Sequence, residues 1–206
     1  MKILHVNLKT TNLKRMKTFY TEQLRLRLLR SGKLFFTVEV GETKLTFEAG
    51  EEQTLYHVAF RLTTQGFNAL QDHLAFLPNP EGETSLFWKG RQRYLYDPDG
   101  NILELLERES TLLGDFLDIG EVGMPSDDVS EFAAFLRPIE TSLEAKGDAF
   151  RFYGDETGVL VLVKVGRPWY PTMDEATISP IHLEIRGKEE QLLTHPTYPY
   201  TIVVTK

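Results

Sequence analysis

The chain has no cysteine among its 206 residues. Disulfides, thiolate metal ligands and a cysteine nucleophile are therefore excluded, and any metal must be held by nitrogen and oxygen. Positive charge is also scarce: 23 Lys and Arg stand against 30 Asp and Glu, and a formal net charge of −7 would repel a phosphate backbone. No run of Lys and Arg alternates with aromatics, so nucleic acid is not an expected partner. No stretch approaches the roughly 20 apolar residues of a membrane span, and Met1-Lys2-Ile3-Leu4-His5 has no signal-peptide hydrophobic region. The expectation is a cytoplasmic chain with no membrane partner. Phosphate loops are missing too, both G-x-x-x-x-G-K followed by Ser or Thr and a strand-linked G-x-G-x-x-G. What is present is ample core material: 41% hydrophobic and 26% charged residues suit one large domain or two small ones.

Three predicted strands carry residues that stand out against their surroundings. In Ile3-Leu4-His5-Val6-Asn7-Leu8, alternation puts Leu4, Val6 and Leu8 on one face and His5 with Ile3 and Asn7 on the other. Leu55 to Leu62 repeats the split, with Tyr56, Val58, Phe60 and Leu62 opposite His57, Ala59 and Arg61. In Ile102-Leu103-Glu104-Leu105-Leu106 a carboxylate sits inside a strand that reads as buried on both faces, where an unpaired charge costs several kcal/mol. Two imidazoles and a carboxylate form a facial triad that holds a divalent metal with open positions. Each residue also has an ordinary structural reading: a strand histidine is often a hydrogen-bonded, half-buried group, and Glu104 could pair with Arg93 or Arg61. Agreement among three strands favours the metal. His73 falls on a helical stretch and reads as surface; His195 gives no signal.

The organisation is repetitive. A strand at 3 to 9 leads through Thr10-Thr11-Asn12 caps into a helix from Leu13 to Leu24, then strands near Lys33 to Val40 and Thr43 to Glu48. A second unit starts at Leu55, with a Thr63-Thr64 cap, a helix from about Gly66 to Phe76, and strands at about Ser85 to Lys89, Arg91 to Asp97 and Asn101 to Glu107. The period, set by His5 and His57, is near 52. Asp97-Pro98-Asp99-Gly100 suits a three-residue hairpin loop, a register that pairs Asp97 with Asn101 and sets Tyr94 opposite Glu104. Tyr94 is either a site residue or an ordinary strand aromatic. After a linker at 110–117, residues 118–206 restart the pattern less faithfully. Strands are expected at Leu117 to Met124, Phe150 to Tyr153, Val159 to Val165, Ile181 to Arg186 and Tyr200 to Val204, and a short helix at Val129 to Leu136. Glu121 aligns with His5 and His182 with His57, but no counterpart of Glu104 appears, so this copy reads as a cover or dimer surface.

Residues 1–108 resemble closely, and residues 116–206 loosely, the vicinal oxygen chelate superfamily, which includes glyoxalase I, extradiol dioxygenases, fosfomycin-resistance thiol transferases and bleomycin-binding proteins; residues 1–109 are the expected domain that carries the site. The resemblance rests on His5 and the helix Lys17 to Leu24, on His57-Val58-Ala59-Phe60, and on Tyr94 through Asp97-Pro98-Asp99-Gly100-Asn101 to Glu104. It implies an α+β fold of paired β-α-β-β-β modules curling into a cup-shaped mixed sheet with helices outside, the C-terminal copy shortened. It also implies metal ligands at His5, His57 and Glu104. Lys44 stands where glyoxalase I enzymes place a glutamate, and Ser85-Leu86-Phe87-Trp88 stands where extradiol enzymes add a histidine.

The expected function is a divalent-metal-dependent enzyme (Fe2+ or Mn2+ foremost, then Zn2+ or Ni2+) acting on a small oxygen-rich molecule. Extradiol-type dioxygenation leads, with a glyoxalase-like lyase or fosfomycin-type thiol transferase as alternatives. A metal-free drug- or metabolite-binding resistance protein is the alternative from another class. Tyr94 is the catalytic candidate; Arg61, Arg93, Lys89 and Asn7 are the substrate-binding candidates. A homodimer is the expected assembly.

Overall fold

The computed structural model describes residues 1–85, 87–112, 114–139, 141–144 and 147–206. Four units follow one another. The first runs β1 (Lys2–Thr10), α1 (Leu13–Thr18), a π-helical turn Phe19–Gln23, β2 (Arg27–Ser31), β3 (Phe35–Val40) and β4 (Thr43–Ala49). The second is β5 (His57–Leu62), α2 (Thr64–Ala69), β6 (Gln92–Tyr96) and β7 (Ile102–Glu107). The third is β8 (Phe116–Ser126), α3 (Val129–Phe135), β9 (Leu143–Glu144), β10 (Phe150–Asp155) and β11 (Gly158–Lys164). The fourth has strands alone among the described residues: β12 (Ile181–Arg186), β13 (Gln191–Thr194) and β14 (Tyr200–Thr205).

Local chemistry explains the helix starts. The Asn12, Thr63 and Asp128 side chains each accept from backbone N–H groups of the first turn, which those donors would otherwise lack partners for. Several elements depart from expectation; strands β9 and β13 form where none is expected, and α2 ends at Ala69 rather than near Phe76. The strand expected near Ser85 to Lys89 does not form among the described residues there: a single bridge joins Thr84 to Arg91, and Leu86 lies outside the described residues. In Arg27–Ser31 four of five side chains are exposed, so this edge strand has no apolar alternation to reveal it.

The strands form two seven-stranded mixed sheets, ordered β13-β14-β12-β1-β4-β3-β2 and β6-β7-β5-β8-β11-β10-β9. The outer units share the first sheet and the inner units the second. The stretches 1–109 and 118–206 thus each contribute one unit to each sheet. Both sheets are open and curled, fitting the cup-shaped α+β architecture. Their apolar faces meet in one core, Val6, Leu8, Phe36 and Phe47 joining Val58, Phe60, Leu105 and Leu160, with Phe19, Phe67 and Phe132 from the helical segments. A smaller cluster, including Tyr94, Ile102, Val161 and Trp169, fills the other side of the second sheet.

The β6–β7 turn ties the two sheets together. Asp97 N–H donates to Asn101 O at 3.0 Å and Gly100 N–H to Asp97 O at 3.0 Å, with Gly100 at φ 85°, as the sequence implied. The buried Asp97 carboxylate accepts from Asp99 N–H (2.9 Å), Asn101 N–H (3.0 Å), the Asn101 amide (2.8 Å) and the Tyr20 hydroxyl of the first unit (3.0 Å). Thr10 of β1 donates to Asp99. Burial outweighs these donors and pushes the Asp97 carboxyl up to about 6. A second tie is Gly41, at φ 55°, where a Cβ would lie 2.0 Å from the Leu117 carbonyl oxygen; the neighbouring Glu42 N–H donates to that oxygen at 2.8 Å.

Replacing Asp97 by Ala leaves four donors without an acceptor and is expected to lower stability by roughly 2–4 kcal/mol. Urea unfolding at neutral pH measures this; a change under about 0.5 kcal/mol would remove the turn from its role as a tie.

Candidate functional site

The site is built around one small residue. Ala59 in β5 is the register partner of Glu104 in β7 and of Glu121 in β8. Register partners point to the same face, so two carboxylates flank a methyl group. His57, two residues before Ala59, shares that face. Its Nε2 lies 3.5 Å from Glu104 Oε2, and the Tyr94 hydroxyl donates to Glu104 Oε1 at 3.1 Å. His57, Glu104 and Glu121 are 6%, 7% and 5% exposed, so water does little to screen their charges.

Above them lies an indole. The Trp169 ring stacks on His57 with centroids 4.7 Å apart and planes 26° apart. Gly123 makes room for it: a Cβ there would meet Trp169 Cη2 at 2.6 Å and His57 Cβ at 3.2 Å. A cavity of about 260 Å³ opens beside these groups, walled by Phe87, Trp88, Phe150, Phe152 and Tyr170, with Arg167 contributing a cation. The Arg167 guanidinium lies 4.8 Å over the Phe150 ring.

Burial first, and then the neighbouring Glu104, raises the Glu121 carboxyl above the usual carboxylate range. The same two causes raise the Tyr94 phenol, which stays a proton donor. Among the described residues no Lys or Arg ion-pairs with Glu104 or Glu121: Arg93 pairs with Glu83 at 2.7 Å, and Arg61 takes both oxygens of Asp118 at 2.6 Å. The structural partners that the sequence offered Glu104 are therefore engaged elsewhere. His57 Nδ1 is buried without a hydrogen-bond partner among the described residues.

His57, Glu104 and Tyr94 come together as read from the sequence, but His5 does not join them. It belongs to the first sheet, with Nε2 2.8 Å from Thr46 Oγ1 and Nδ1 3.5 Å from Glu184. The reason is pairing: unit one meets unit four, not unit two. Asn7 lies beside His5's strand neighbours and donates to Glu48 at 2.8 Å. Arg93 packs over Phe67 and Phe76, away from the cavity lining. Lys89 is exposed and lines a different cleft together with Arg61. Sequence reasoning passed over Glu121, Trp88 and Trp169 as site residues. A signal for Glu121 was present: a lone carboxylate within Ile119-Gly120-Glu121-Val122-Gly123, the same anomaly that singled out Glu104.

Among the described residues, no three His, Asp or Glu side chains are gathered as a finished metal cage. The donor types nonetheless suit a divalent cation: His57 Nε2 faces the buried Glu104, Glu121 lies across Ala59 from that carboxylate, and neither carboxylate has a Lys or Arg ion pair among the described residues.

No family model and no curated protein matches the sequence. Solved structures match along nearly its whole length. A provisionally assigned dioxygenase from Bacillus subtilis is 14% identical, with a TM-score of 0.62, over 99% of this chain and 85% of that one. Glyoxalase I from Zea mays is 15% identical, with a TM-score of 0.61, over 98% of this chain and 91% of that one. At such identities the likeness is one of fold alone, a fold this chain shares with glyoxalase I.

Because its carboxyl is raised in the folded state, Glu121 keeps a proton that the unfolded chain gives up above its ordinary pKa of 4.5. Metal-free protein should therefore lose stability as pH rises from there towards the raised value. Glu121→Gln should flatten that decline in urea titrations at acidic, neutral and mildly alkaline pH. Parallel pH profiles for the two proteins would mean that Glu121 is ionised in the fold.

Proposed function

We propose that the chain is a divalent-metal-dependent enzyme acting on a small oxygen-rich substrate in the cup of the second sheet, with His57, Glu104 and Glu121 holding the cation. The observation that carries this reading is the pair of buried carboxylates flanking Ala59 beside His57, with no Lys or Arg paired to either among the described residues. Fe2+, Mn2+, Zn2+ and Ni2+ all suit such nitrogen and oxygen donors. When bound, the cation supplies Lewis-acid polarisation of adjacent substrate oxygens.

The protein's own groups then divide the work. Tyr94, held protonated, gives its one hydroxyl proton to Glu104 and so orients that carboxylate at the wall of the cavity. Glu121, set across Ala59 from Glu104 on the face of the cup, is placed to exchange a proton with the substrate. The aromatic walls keep water from the reacting atoms and strengthen every charge interaction inside. This favours proton transfer next to a polarised oxygen, a glyoxalase-like reaction, over dioxygen chemistry that needs two imidazoles on one metal. Extradiol-type dioxygenation is the second reading, favoured by the Tyr94–Glu104 contact within the hairpin that carries the resemblance.

Elemental analysis and calorimetric titration of purified protein test the metal. About one equivalent is expected in wild type and in His5→Ala, with loss in His57→Ala and Glu104→Gln. Metal retained by both of the latter, or no binding of any of the four ions, would sink the proposal and leave a metal-free binder. For loaded protein, solvent deuterium exchange next to a substrate carbonyl would mark the first reading; oxygen uptake with a catechol would mark the second.

A further inference from the structure

A second cleft adjoins the cup. Its volume is about 310 Å³, and its lining includes Arg61, Lys89, Arg108, Trp88 and Glu121; the last two also line the cup. We propose that this cleft binds the oxyanion of a small carboxylate- or phosphate-bearing ligand, gripped by Arg108 and Lys89 against Trp88. The proposal does not depend on the metal reading of the cup.

The charges around the cleft are unequally committed. Arg61 is spent: its guanidinium takes both Asp118 oxygens at 2.6 Å and donates to the Glu156 and Thr157 carbonyls at 2.7 and 2.9 Å. Asp155 accepts from Thr157 N–H at 2.8 Å. Glu156 stands exposed at the rim, and with Asp155 and Glu121 it supplies the acidic groups that oppose an anion there. Arg108 is different. One of its terminal nitrogens, Nη1, donates to the Lys89 and Glu107 carbonyls at 2.9 and 2.8 Å, and the guanidinium lies 5.6 Å over the Trp88 ring. Among the described residues it forms no ion pair with a carboxylate.

Desolvation, and then the charge on Arg61, lower the Arg108 pKa. A half-buried cation in that state gains from a ligand's negative charge. Two carbonyl bonds and a ring face hold the fork in place, so little freedom is lost when a planar carboxylate or a phosphate arrives. Lys89, exposed and carried by the backbone segment whose carbonyl anchors Arg108, supplies a second, mobile charge.

The test is calorimetric titration of metal-free full-length protein with inorganic phosphate and, separately, with succinate, with sodium chloride of matched ionic strength as control. Saturable binding of one anion or both is expected. The Arg108→Gln variant should weaken it about tenfold or more, and Lys89→Gln severalfold, whereas Lys44→Gln, an exposed lysine of the first sheet, should leave it unchanged. The stronger of the two anions identifies the ligand's oxyanion. Absence of saturable binding by either anion, or equal affinity in all variants, overturns the proposal. If Arg108→Gln fails to fold, the exposed Lys89→Gln decides it alone. Because no metal is present, the outcome is separate from that of the cup.

Discussion

The antiparallel pairing of β5 with β8 governs the candidate site. It sets Glu121 across Ala59 from Glu104 and brings Gly123 against His57, which in turn admits the Trp169 indole. A slip of one residue in that register would turn Glu121 towards the apolar core and replace it in the cup by a valine or a glycine. Ladder hydrogen bonds and the packing of Val58 against Val122 fix the register, so the backbone rather than the charged groups positions the carboxylates. The two carboxyl groups are held on one face across Ala59, and burial together with the Glu104 charge keeps Glu121 towards its protonated form.

Much of this could be read from the amino-acid order, and the parts that could not share a physical cause. Alternation tells which face of a strand a side chain occupies and set His57 opposite the apolar layer, a charge inside an apolar strand marked Glu104, and the hairpin register put Tyr94 opposite it. The Asp97-Pro98-Asp99-Gly100 turn is local chemistry, and its register followed from residue types alone. Which sheet a strand joins is not local. His5 satisfies every test of face and neighbourhood, yet it lies among Thr46 and Glu184 because β1 meets β12 and β4. Near-equivalent units have near-equivalent edges, and only the packing of the whole chain selects among them. The strands β2 and β13 escaped notice for a simpler reason: both are short and expose much of their surface, so no hydrophobic alternation marks them.

The cup also shows how an apolar lining and a charged floor depend on each other. Aromatic walls around Glu104 and Glu121 exclude the water that would otherwise screen the two carboxylates. That exclusion holds Tyr94 and Glu121 towards their protonated forms, and makes a cation in the same space more strongly bound. Among the described residues the first sheet lines no part of that cavity. Its polar face carries His5, Asn7 and Lys9 half-exposed, with hydrogen bonds to Thr46 and Glu48.

The turn that ends in Asn101 has a consequence for how this chain could be divided. Every side chain of the cup comes from units two and three and the segment that follows them, which suggests an autonomous half-size module. Yet Asp97 leans on Tyr20, Asp99 on Thr10, and the Tyr56 hydroxyl accepts from Lys9 N–H, all three partners lying outside that module. The hairpin bearing Tyr94 and Glu104 is thus anchored at its tip to the sheet that holds no part of the cup. Shortening such a gene to its inner repeats would preserve the residues that meet the substrate while discarding the frame that aims them. The outer repeats are retained as masonry, and their loss would be felt first as slackness in the cup.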